Sequence, residues 1–104
     1  MSMEYRGWIT VPGLTVEREA DHDRLLRTLV REYDEYGPVM SWTDDGRSAQ
    51  IVLATDAPDE AAAVAEMTNV VAAALRMSSL GHLYPAGSEV VAVDEGVATT
   101  AFMK

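Results

Sequence analysis

The strongest local instruction in this chain lies between Val39 and Thr55. Two β-prone runs, Val39 to Thr43 and Ser48 to Thr55, flank Asp44-Asp45-Gly46-Arg47, and an Asp-Gly turn between such runs makes a hairpin. Its register has two solutions. A two-residue Asp45-Gly46 turn pairs Trp42 with Ala49 and sets Trp42 on the face of Met40, Ile51 and Leu53. A three-residue turn with Gly46 as a bulge sets Trp42 beside Ser48, Gln50 and Val52 instead, because one residue of slip reverses the face of every side chain.

The hairpin is bracketed by other elements. Tyr5 to Val11 alternates and stops at Pro12-Gly13, with Tyr5, Gly7, Ile9 and Val11 on one face and Arg6, Trp8 and Thr10 on the other. From about Glu17 the apolar period becomes helical. Leu25, Leu26, Leu29, Val30 and Tyr33 form the stripe, with Ala20 and His22 near its N-terminal extension, and Gly37-Pro38 ends it. Asp23 and Arg27 are placed as an acid-before-base i,i+4 pair.

Asp56-Ala57-Pro58-Asp59-Glu60 reads as a helix start with Asp56 as the cap, running to about Ser79 and stopping at Leu80-Gly81. Its stripe is Ala61, Val64, Ala65, Thr68, Val71, Ala72 and Leu75, with a second apolar flank of Met67, Val70, Ala74 and Met77. Such a helix is expected to be covered on more than one side. Val90 to Val93 is a short buried strand, and Val97 to Phe102 is either one more short strand or a loose tail.

The order β-α-β-β-α-β predicts an α+β fold of the ferredoxin-like, split βαβ type. Two helices pack on one face of a four-stranded antiparallel sheet, with strand 1 beside strands 3 and 4. The whole of residues 1–104 is read as one domain, with 95–104 as a flexible or swapped tail. Small-molecule-sensing regulatory domains and dimeric barrel monooxygenases share this layout. The likeness is at the level of layout, and fold alone does not give function.

Composition narrows the chemistry. Eight Lys+Arg against seventeen Asp+Glu give a formal charge of −9, which argues against a phosphate-rich nucleic-acid partner. The absence of cysteine excludes disulfides, thiolate zinc sites and thiol catalysis. The start MSMEYRGWIT lacks a signal peptide's basic and apolar regions, and no run approaches a membrane span of about 18 apolar residues. A soluble, cytoplasmic protein is expected. Fifteen Ala dilute a 48% hydrophobic content, so the core should be thin and a homodimer contact a plausible supplement.

With both helices on one side, Trp8 projects from the centre of an uncovered face. The candidate ligand or partner face is Trp8, Arg6, Thr10 and Gln50, joined by Trp42 in one of the two registers. The competing structural reading packs Trp8 against a second copy or under the Phe102 segment. His22 and His82 are the only imidazoles: His22 is expected to be tucked structurally, and His82 to sit past a helix end. Either could supply a polar group to a pocket.

Asp44-Asp45 lacks the further oxygen ligands of a calcium loop and reads as turn chemistry, so no metal is assigned. No nucleophile elbow, phosphate loop or dinucleotide motif is present, so no catalytic residue and no cofactor are assigned.

The leading expectation is a non-enzymatic binding or regulatory module that self-associates through its sheet face or through the second helix. One alternative is a small dimeric barrel enzyme of monooxygenase or isomerase type, with a pocket between sheet and helices. The other is an acidic protein that occupies a basic, nucleic-acid-binding partner, suggested by seven acids against two bases from Asp56 onward.

Overall fold

Strand β1 (Met3–Pro12) is the axle of the sheet. In the computed structural model, which describes residues 2–93, it pairs antiparallel with β3 (Ser48–Ala57) along its whole length, from Met3↔Ala57 to Pro12↔Ser48. Its other edge pairs antiparallel with β4 (Ser88–Val93), and β2 (Val39–Trp42) pairs antiparallel with β3. The resulting order is β2-β3-β1-β4. Two interlocked split βαβ units produce this order. β3 lies between β1 and β2, which helix α1 (Glu19–Glu32) connects, and β1 lies between β3 and β4, which helix α2 (Glu60–Met77) connects. The expected ferredoxin-like α+β sandwich is the observed one. The expected Val97–Phe102 strand and the 95–104 tail lie outside the described residues.

Alternation on β1 decides the layers. Tyr5, Gly7, Ile9 and Val11 are buried under the helices, while Arg6, Trp8 and Thr10 point away from them. Ile51 and Leu53 of β3 face the same way as Ile9, and with Leu25, Leu29, Met67, Val71 and Leu75 they form a fully packed core. Gly7 allows the closest approach, because a Cβ there would collide with the Met67 sulfur of α2.

Several local expectations change. Helix α1 is preceded by a 3-10 turn at Val16–Arg18, and a second 3-10 turn at Asp34–Tyr36 follows it. The second closes on Gly37 in the left-handed region, at φ +58. The buried residues of α1 are His22, Leu25, Thr28 and Leu29, while Val30 is 47% exposed. The stripe is rotated toward Thr28 because its hydroxyl has a partner: Ser78 Oγ of α2 donates to Thr28 Oγ1 at 2.8 Å, and Thr28 donates to the Arg24 carbonyl.

Asp23 and Arg27 form no ion pair. Asp21 instead takes both Arg18 and Arg24, and Arg31 pairs with Glu32. The hydrogen bond from Arg18 is the main reason the Asp21 carboxyl is held below its usual range.

Helix α2 starts later than expected. β3 runs on through Asp56 to Ala57, so the cap is Asp59, which accepts from the Ala62 N–H at 2.8 Å. Ala63, Met67, Val70, Val71, Ala74 and Leu75 are its buried residues. The inner face is therefore the flank through Met67 and Ala74, and Ala61 and Ala65 of the expected stripe are exposed. Ala-rich sequence carries little facing information, and the bulk of Met67 against Gly7 settles it. The helix runs to Met77, close to the expected Ser79, but its left-handed stop falls at Ser79 rather than at Leu80-Gly81. Ser79 is left-handed at φ +61, its N–H donates to the Arg76 carbonyl, and the Leu80 N–H donates to the Leu75 carbonyl at 2.8 Å.

Candidate functional site

The face of the sheet away from the helices is tiled by cross-strand neighbours. Its central row runs Val39, Val52, Trp8, Glu89 across β2, β3, β1 and β4. One step toward the start of β1 lies Ala54, Arg6, Val91, and one step the other way lies Ser41, Gln50, Thr10. Val39 is 59% exposed and Val91 49%, while Trp8 is half-buried between its neighbours. A shallow groove of about 500 Å³ runs beside Trp8, lined by Arg6, Gly37, Val39, Val52 and Ala54. Arg6 enters no ion pair among the described residues. Four of the five candidate residues, Arg6, Trp8, Thr10 and Gln50, are thus brought onto one surface.

Trp42 is not among them. The hairpin pairs Trp42 with Ala49, the register of the two-residue solution, but a four-residue loop makes the connection. Gly46 N–H donates to the Thr43 carbonyl at 2.8 Å and Thr43 N–H to the Ser48 carbonyl at 2.9 Å. Asp45 serves this loop, accepting from the Arg47 backbone N–H and the Thr43 hydroxyl, which together hold its carboxyl below the usual range. Trp42 consequently turns under the sheet and stacks on the His22 ring of α1, with centroids 4.1 Å apart.

His22 is buried by that stack, and its Nε2 has no hydrogen-bond partner among the described residues. His82 is exposed, and the Arg18 guanidinium approaches its Nε2 at 3.5 Å. Neither imidazole lines any of the three clefts described.

A second constellation escaped sequence reasoning. Tyr36 and Thr55 both donate to Glu66 Oε2, each at 2.8 Å, tying the 3-10 turn after α1 and the end of β3 to α2. The hydrogen bond to Glu66, then burial, pushes the Tyr36 phenol up to about 12. Glu4, Glu35 and Asp56 share with these residues a cleft of about 490 Å³, so carboxylates do cluster here. The one available signal was Glu66 itself, the only carboxylate after the first turn of a helix otherwise built largely of Ala and Val.

Between sheet and helices lies one cluster of buried apolar side chains, which borders two of the described clefts at Val70 and Leu53. Among the described residues the molecule is a small α+β sandwich with one sheet face that neither helix covers. The chain matches no protein-family model, no curated protein and no solved structure. Among the described residues, no helix is long and apolar enough to cross a membrane.

Proposed function

We propose that this protein is a non-enzymatic binding or regulatory module that self-associates, two copies packing the open faces of their sheets against each other. The carrying observation is the apolar run Val39, Val52 and Trp8, continued by Val91, on a face that neither helix covers. Its centre is an aromatic, the residue type that contributes most to interface energies, and its margins are Arg6, Thr10, Gln50 and Glu89, a polar rim.

Size also favours a second copy. Strands of ten residues in β1 and β3, six in β4 and four in β2 present a face on the order of 500 Å². Complete overlap of two such faces would bury about 1,000 Å², the lower bound for a specific interface.

The test is the mass in solution. Wild-type protein should sediment as a dimer, and Trp8→Ala should weaken association by about thirtyfold or more. Because Trp8 also packs within its own copy, Val91→Glu, at an exposed position of the same face, is the companion variant. Dimers that persist unchanged in both folded variants would move the contact elsewhere and overturn the proposal.

A further inference from the structure

On the open face, four residues of β1 and the edge strand β4 stand as the corners of one cell. Trp8 pairs across strands with Glu89, and Arg6 pairs with Val91. One diagonal, Trp8–Val91, is apolar, and the other, Arg6–Glu89, joins opposite charges. Two copies packed face to face are related by a two-fold axis lying in the plane between the sheets, and such an interface is isologous. An axis laid along the Trp8–Val91 diagonal sets each of these residues against its own counterpart. It exchanges the other two corners, so Arg6 of each copy meets Glu89 of its partner.

Two other axes serve less well. One along β1 places Arg6 against Arg6, a like-charge contact. One that brings Arg6 onto Glu4 crosses β1 near its start, and it leaves Val52 and Trp8 outside the overlap. Arg6 and Glu89 are both exposed, and they form no ion pair with each other within one copy. We infer that the second copy is oriented by two reciprocal Arg6–Glu89 ion pairs flanking a Trp8–Val91 seam. This inference rests on the self-association proposed above.

The inference also explains how a chain of net charge −9 can meet a copy of itself. The face carries Arg6 where the partner's nearest carboxylate arrives. Salt screens both the global repulsion and these pairs, so a salt titration does not separate them, whereas charge reversal does.

The experiment uses sedimentation on the full chain with Arg6→Glu, Glu89→Arg and the double variant. Each single reversal turns two attractions into two repulsions and should weaken dimerisation roughly tenfold or more. The double variant should recover to within a fewfold of wild type. A wild-type dimer weakened by Trp8→Ala but indifferent to both reversals would overturn the orientation while leaving the self-association reading intact. Singles that weaken without rescue in the double variant would also overturn it. A wild-type monomer at every concentration would overturn both.

Discussion

At position 7 the backbone of β1 lies directly against the Met67 side chain of α2. A methyl group there would collide with the Met67 sulfur and crowd Val90 Cγ2 at 3.3 Å, and Met67 is itself fully buried. Gly7→Ala should therefore destabilise by about 1–3 kcal/mol through overpacking. Chemical denaturation of the folded variant measures this, and an unchanged midpoint would show that α2 can slide. The opposite sign is expected at Ser79. It sits exposed at φ +61 in the helix-terminating position that glycine favours. Ser79→Gly should stabilise by about 0.5–1 kcal/mol, seen as a raised thermal midpoint. A lowered midpoint would mean that the serine side chain contributes more than its strain costs.

At the scale of elements, the hydroxyls of Tyr36 and Thr55 converge on Glu66 and fasten three elements together. The phenol, raised from 10.0 to about 12, favours its neutral form in the folded state. Its contribution is therefore complete below about pH 10 and is lost as pH rises from there through about 12. Wild-type protein should lose more stability than Tyr36→Phe between about pH 9 and pH 11.5, followed by thermal unfolding at each pH. Parallel losses in the two proteins would contradict the assignment.

Most of the element pattern was legible in the sequence. Alternation in Tyr5–Val11 and the Asp-Gly hairpin are short-range signals, written in neighbouring residues. What escaped depends on distant partners. Thr28 is buried because Ser78, fifty residues away, reaches its hydroxyl. Asp56 looked like a helix cap because Asp-x-Pro suits one, yet pairing with Glu4 keeps it in β3. The inner face of an Ala-rich α2 was ambiguous because alanines pack almost equally well inward or outward. Trp42 was undecided for a similar reason: the loop length, not the composition, fixes its face.

At the scale of the whole molecule, the sheet face that neither helix covers is the basis of the proposed self-association. Two helices cover one side of four strands, and the other side keeps Val39, Trp8 and Val91 in partial contact with solvent. The candidate binding residues Arg6, Trp8, Thr10 and Gln50 were legible there because alternation along β1 and β3 needs only a strand and a covered side. The Arg6–Glu89 cell was not, since it requires the register of β1 against β4, which no local signal in the sequence specifies. The measurement that bears most directly on this account is sedimentation equilibrium of the full chain across a wide concentration range. A mass rising to twice 11.3 kDa, and stopping there, is the predicted result. A mass that stays at 11.3 kDa at the highest concentration would contradict it.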